Sequence, residues 1–268
     1  MDNKKVELLS PAGNLEKLKI AIKYGADAVY AGVSHFSLRI RAGKEFTFET
    51  FKEGIDYAHA HGKKVYATIN GFPFNSQIEL LKKHIATMAS LEPDGFIVAA
   101  PGVVKLCREI APQIDIHLST QANVLNYLDA QVFWDMGVTR IVVAREISLK
   151  DVIEIKKHLP DMEIEIFVHG SMCFAYSGRC LVSAVQMGRV PNRGSCANDC
   201  RFEYTLYAVN EDHNTLFRLE EEPGVGTYIF NSKDMNLASH IQEILDSGAV
   251  DSLKIEGRTK SPYYAAVT

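Results

Sequence analysis

Short apolar runs alternate with amphipathic stretches along almost the whole chain, and no other feature restricts its fold as tightly. Strand-like runs occur at Val6–Ala12, Ala28–Val33, Lys64–Asn70, Gly95–Ala100, Asp115–Thr120, Arg140–Arg145, Glu163–Gly170 and Ser252–Gly257. Between them lie helical patterns at Asn14–Tyr24, Phe48–His61, Ser76–Ser90, after Gly102, Leu125–Met136, Leu149–His158 and Asn236–Ser247. Strands that alternate with helices pair in parallel, because the crossover helix returns the chain to the same end of the sheet. Eight such units in 268 residues predict a (β/α)8 TIM-type barrel, one domain over 1–268. An open dinucleotide fold is disfavoured, since no G-x-G-x-x-G follows the first strand.

The alternation breaks once, after the seventh strand. Residues of about 171–232 predict a Cys-rich insertion ending in a hairpin of Tyr204–Val209 with Tyr228–Asn231. Only eleven residues follow the last strand, so the natural chain is expected to continue C-terminally.

Four of the five cysteines fall in this insertion: Cys173, Cys180, Cys196 and Cys200, spaced C-x6-C-x15-C-x3-C. Four converging thiolates are what tetrahedral zinc or an iron-sulfur cluster requires. The missing C-x2-C knuckles favour a [4Fe-4S] cluster, with Zn the alternative. Disulfides or unliganded cysteines stay open. No leader-like apolar segment or 18-residue apolar run is present, so a cytoplasmic location is expected, where clustered cysteines are more often ligands. Cys107 sits among apolar helical positions and reads as core.

In such barrels the chemistry lies at the C-terminal ends of the strands. The polar residues there are Ser10, Asn70, Ser119, Thr120, Gln121, Arg145, Glu146, His169, Lys254, Glu256 and Arg258. Each alone reads equally as a loop residue or cap; together they outline a polar cleft. Arg145, His169, Lys254 and Glu256 are candidate catalytic residues, and Asn70 and Gln121 candidate substrate contacts. Arg39 and Arg41, in the loop after the second strand, are a further pair for a carboxylate or phosphate, against a solvated surface reading.

Period-two spacing places Glu163, Glu165, Phe167 and His169 toward the barrel interior and Ile164, Ile166 and Val168 toward the helices. Glu165, also a catalytic candidate, needs a buried cation there, and Lys254 and Arg145 are the candidates; a structural ion pair is the alternative. His169 and Cys173 as a protease dyad lack a legible oxyanion hole, and H-E-x-x-H, G-x-S-x-G and P-loop motifs are absent.

Net charge of −4 gives no overall attraction to nucleic acid, so RNA contact needs a local patch. The insertion offers Arg179, Arg189, Arg193 and Arg201 interleaved with Phe174, Tyr176 and Phe202, suited to phosphates and stacked bases. The bland alternative is that these arginines offset thiolate charge.

The segments ELLSPAG, DAVYAG, FSLRIRA, STQANV, EIFVHGSMCFAYSGRC, RGSCANDCR, SKDM and LKIEGR, in this order, resemble peptidase family U32. The resemblance implies one of two activities. One is the collagenase-like peptidase activity of unknown catalytic type for which the family was named, with collagen or a peptide as substrate. The other, held by better-understood members, is hydroxylation: of the tRNA wobble uridine at C5 with prephenate, or of ubiquinone without oxygen by relatives carrying [4Fe-4S] clusters. It makes the four insertion cysteines cluster ligands and tRNA the partner. The charge at the mouth, with Arg39, Arg41 and Arg145, fits a dicarboxylate such as prephenate.

Overall fold

A computed structural model describes residues 5–33, 36–37, 46–191, 195–219 and 233–268. Seven strands alternate with six helices in its first part: β1 (Glu7–Pro11), α1 (Leu15–Lys23), β2 (Ala28–Ala31), α2 (Phe48–Ala60), β3 (Lys64–Ile69), α3 (Ile78–Ser90), β4 (Gly95–Val98), α4 (Pro101–Ile110), β5 (Asp115–Leu118), α5 (Tyr127–Asp135), β6 (Arg140–Val142), α6 (Leu149–His158) and β7 (Glu163–Gly170). The insertion holds α7 (Val182–Met187), β8 (Tyr207–Asn210) and β9 (Thr215–Arg218); then come β10 (Met235–Asn236), α8 (Ile241–Asp246), β11 (Ser252–Ile255) and α9 (Pro262–Val267).

Strands β1 to β7 pair in sequence, β7 pairs with β11, and β11 with β1, all in parallel. This closes the expected eight-stranded TIM-type barrel. Side-chain caps start the helices where the sequence places them: Asn14 accepts from Lys17 N at 2.9 Å, and Thr47 and Thr50 form a reciprocal capping box on α2.

Alternation along each strand sorts the core into two layers. Val29, Val65, Phe96, Ile116, Ile141 and Ile164 face outward onto Leu18, Phe51, Ile55, Ile85 and Val104 of the helices. Leu9, Ala28, Tyr30, Tyr66 and Ile97 pack inside the barrel. Each fully buried aliphatic or aromatic side chain contributes on the order of 1.5–3 kcal/mol, so the outer layer supplies most of the stabilisation.

Three expectations are corrected. The hairpin pairs β8 with β9, Val209 opposite Leu216, across a turn at Glu211–Asn214; residues 228–231 lie outside the described residues. Turn-forming Asn210, Asp212 and Asn214 explain the tighter connection. The helix expected over 236–247 is shorter, because Asn236 belongs to β10, which pairs antiparallel with β7 and leads the insertion back to the strand it left. α7 was not foreseen. Among the described residues, no helix is long and apolar enough to cross a membrane.

Candidate functional site

Barrel closure brings the strand ends together around a mouth cavity of about 150 Å3. Its floor is Tyr30, Ile97, Val142 and Phe167; its wall carries Thr68, Asn70, Ser119, Thr120, Gln121, Arg145, Lys254, Glu256 and Arg258. The cysteine insertion folds over this opening, so that Cys173, Ser177, Gly178, Cys180, Pro191 and Cys196 complete the lining. Eight of the polar strand-end residues read from the sequence therefore share one cavity with three of the four clustered cysteines.

Three cations converge on it. Arg145 lies over the Phe167 ring at 3.9 Å and donates to Ser177 Oγ at 2.5 Å, tying the wall to the roof. Arg258 donates from Nη1 to Ser37 Oγ (2.8 Å) and Thr68 Oγ1 (3.0 Å). Lys254 Nζ sits 4.4 Å from the Tyr30 ring centroid and donates to Glu165 Oε1 at 2.7 Å. Burial pushes the Lys254 ammonium below its usual value while Glu165 pulls it back up.

Glu165 does not line the cavity. It is fully buried one layer deeper, where Arg140 Nη1 reaches it at 3.3 Å and also holds Glu7 at 2.5 Å. The second cation of Glu165 is thus Arg140 and not Arg145, a correction with a simple cause. Arg140 and Glu165 are two inward-facing residues of neighbouring strands, whereas Arg145 lies past the end of β6 and turns to the roof. Burial works against charge on Arg140, but the carboxylates of Glu165 and Glu7 outweigh it and its pKa is raised.

His169 is also placed differently from the expectation. The pairing of β7 with β11 shifts register between Lys254 and Ile255, a bulge that takes His169 out of the inward row. Its Nδ1 contacts the phenol oxygen of Tyr264 on α9 at 2.8 Å, and that phenol donates to Glu256 O at 2.9 Å. Ser10 and Glu146 do not line the cavity, and Arg39, Arg41 and Arg193 lie outside the described residues. Arg201 is spent on Asp234, just past the insertion, and on Met172 O within it. Sequence reading missed Tyr30 and Thr68, although their alternation with Ala28 and with Tyr66 marks both as inward.

The insertion is anchored at its root by Glu256, whose Oε2 accepts from Ser171 N at 3.3 Å. Gly170, at φ +116°, passes so close to Glu256 that a Cβ would lie 2.6 Å from its carbonyl oxygen. The cysteines remain thiols, without disulfides. The Cys200 thiol is pushed up by burial, and the charges of Cys196, Cys180 and Cys173 add to the effect, against Arg201. Backbone N–H groups already point at two of them: Val182 N at Cys180 Sγ and Asn198 N at Cys196 Sγ, both 3.4 Å. Such N–H···S contacts are typical second-shell support for metal-bound thiolate. Among the described residues, no three ligating side chains lie close enough to hold a single ion. Cys107, in contrast, is buried in α4 with its thiol pushed up to about 12 by burial.

Comparison with known proteins agrees with this architecture. The chain is 76% identical over 263 residues to "tRNA hydroxylation protein P" of Helicobacter pylori (strain ATCC 700392 / 26695), covering 98% of this chain and 62% of that protein. It is 42% identical to "tRNA hydroxylation protein P" of Escherichia coli (strain K12), covering 98% of this chain and 66% of the relative. The chain thus spans about three-fifths of the length of such relatives. The solved structure of the U32 peptidase Mk0906 superposes with a TM-score of 0.61 at 16% identity, over 96% of this chain and 95% of that one, a likeness of fold alone. The profile of peptidase family U32 matches residues 13–268, and the chain belongs to that family.

Proposed function

We propose that this chain forms the barrel of an RNA hydroxylase acting on tRNA, with the wobble uridine as target, a [4Fe-4S] cluster on Cys173, Cys180, Cys196 and Cys200, and prephenate or a similar dicarboxylate as oxygen donor. The observation that carries this reading is the shared cavity: three cations of the barrel and three cysteines of the insertion line the same 150 Å3 space. A structural clasp would gain nothing from facing the cations. That the relatives at 76% and 42% identity are tRNA hydroxylation proteins supports RNA hydroxylation.

In this reading Arg145 and Arg258 bind the donor's carboxylates through charge-assisted hydrogen bonds. Tyr30 and Phe167 form a dry floor that strengthens these contacts. Lys254 holds at Nζ a proton that burial makes easier to release, with Glu165 positioning it. Glu256 fixes the start of the cysteine segment through Ser171 N. When bound, the cluster supplies one-electron chemistry beside the donor. The C-x6-C-x15-C-x3-C spacing, without C-x2-C knuckles, favours a cluster over zinc. Phe174, Tyr176 and Phe202, each about half exposed on the insertion, offer faces for unstacked bases.

Two measurements test the reading. Mass spectrometry of tRNA nucleosides after gene deletion, with complementation by the wild type and by Arg145→Ala, should show loss of 5-hydroxyuridine, restoration, and failure to restore. Unchanged 5-hydroxyuridine after deletion refutes it. Anaerobic purification with iron, sulfide and zinc analysis separates a cluster from zinc, and zinc without iron would move a peptidase with a structural zinc clasp ahead.

A further inference from the structure

One donor at the mouth is built and unspent. Gln121 is 3% exposed, lines the cavity, and its Nε2 has no hydrogen-bond partner among the described residues. A buried amide donor left unpaired loses the hydrogen bond that water would give it, so a fold that keeps one at a cavity wall points to a ligand for it. Its orientation is fixed from the other side. Ser119 Oγ donates to Gln121 Oε1 at 3.2 Å, and the short 3-10 turn Thr120–Ala122 holds the backbone. The amide N–H2 is thereby turned toward the insertion, against Gly178.

Gly178 makes that approach possible. It has φ +77°, and a Cβ there would stand 2.6 Å from Gln121 Nε2. Gly178 lies between Cys173 and Cys180, and its neighbour Ser177 is held by Arg145. The barrel thus brings a neutral donor to the one turn of the insertion flanked by two of the cysteines that line the cavity. The cations serve negative oxygen; a neutral amide that reaches the Cys173–Cys180 segment within the same cavity suits sulfur.

We propose that Gln121 is a positioning and tuning residue for the sulfur site: its side-chain amide donates an N–H···S hydrogen bond to the cysteine-held group, stabilising the more negative, reduced state. This rests on the reading of the cysteines as cluster ligands. It is a hydrogen bond only, with no covalent or electron-transfer step of its own.

The test is redox titration of the anaerobically purified protein, followed by visible and electron paramagnetic resonance spectra, with iron and sulfide counted first. The variants are Gln121→Leu, which removes the donor at similar volume, Gln121→Glu, which replaces it with a carboxylate, and Gln121→Asn, which shortens it. The expected result is wild-type iron and sulfide content in all, with the midpoint potential shifted negative in Q121L, further negative in Q121E, and least in Q121N. Equal potentials in wild type and Q121L, both with full clusters, overturn the proposal. So does an unchanged potential with weakened prephenate binding, which would make Gln121 a substrate contact. If a variant fails to load, a Ser119→Ala variant, which frees the amide without removing it, must show the smaller negative shift. A wild-type protein without iron and sulfide refutes instead the cluster reading on which this rests.

Discussion

The two ends of the barrel interior treat charge in opposite ways. At the N-terminal end and in the middle, Arg140 is surrounded by Glu7, Glu163 and Glu165, Tyr66 donates to Glu7 at 2.6 Å, and Lys254 closes the set on Glu165. At the mouth, Arg145 donates to the hydroxyl of Ser177, Arg258 reaches the hydroxyls of Ser37 and Thr68 among its partners, and Gln121 Nε2 has no partner among the described residues. The first arrangement is self-satisfied and has structural consequences. The second commits Arg145 to a hydroxyl and an aromatic face and not, among the described residues, to a carboxylate. The fold separates the two roles by depth, with Lys254 at their boundary.

That contrast predicts which property each substitution damages. The largest effect is expected for Cys180→Ser, which should abolish iron and sulfide retention and tRNA hydroxylation, measured by metal analysis and nucleoside mass spectrometry, while the barrel stays folded by circular dichroism. Retention of both would detach the cysteines from function. Next, Arg140→Met removes the one cation shared by three carboxylates, leaving Glu165 with Lys254 alone, and should destabilise the fold by about 3–5 kcal/mol, read as a lower urea midpoint. A change under about 1 kcal/mol would show that the deep network is not what we describe.

Arg145→Gln should act the other way, weakening binding of a dicarboxylate by roughly 10- to 100-fold, equivalent to losing one charge-assisted hydrogen bond, with little change in urea midpoint. Isothermal titration with prephenate decides it. If Arg145→Gln costs stability and not affinity, the division between the two ends fails.

The smallest effect concerns Tyr264, whose phenol joins His169 to Glu256. Burial, and then the charge of Glu256, push it up to about 12. A folded-state value above the ordinary tyrosine value near 10 means that the folded form holds the proton more tightly. Its contribution is therefore complete below pH 10 and is lost as the pH rises from about 10 to about 12. Tyr264→Phe should cost about 1 kcal/mol at neutral pH and flatten the stability curve in that window. An identical alkaline slope in the variant would assign the loss to other groups.

Much of the barrel could be read locally. Alternation in β7 correctly placed Glu165 and Phe167 inside and Ile164, Ile166 and Val168 outside, since strand geometry alone sets the side-chain period. It failed at His169, because a bulge against β11 is a property of two strands and not of one. Asn70, Gln121, Arg145, Lys254 and Glu256 were legible as mouth residues from their strand-end positions. The strand Thr215–Arg218 was not read as the partner of Tyr207–Asn210 because its pattern is no stronger than that of 228–231, which lie outside the described residues.

The sequence by itself determined the eightfold alternation, hence the closed parallel barrel, and the grouping of four cysteines in one insertion, since both follow from short-range spacing. Only the tertiary structure decided that Glu165 takes Arg140 as its second cation, that the insertion folds over the mouth, and that Gln121 meets Gly178. Those contacts join residues 25 to 57 positions apart, and they depend on how strand register and barrel closure bring distant strand ends to one place.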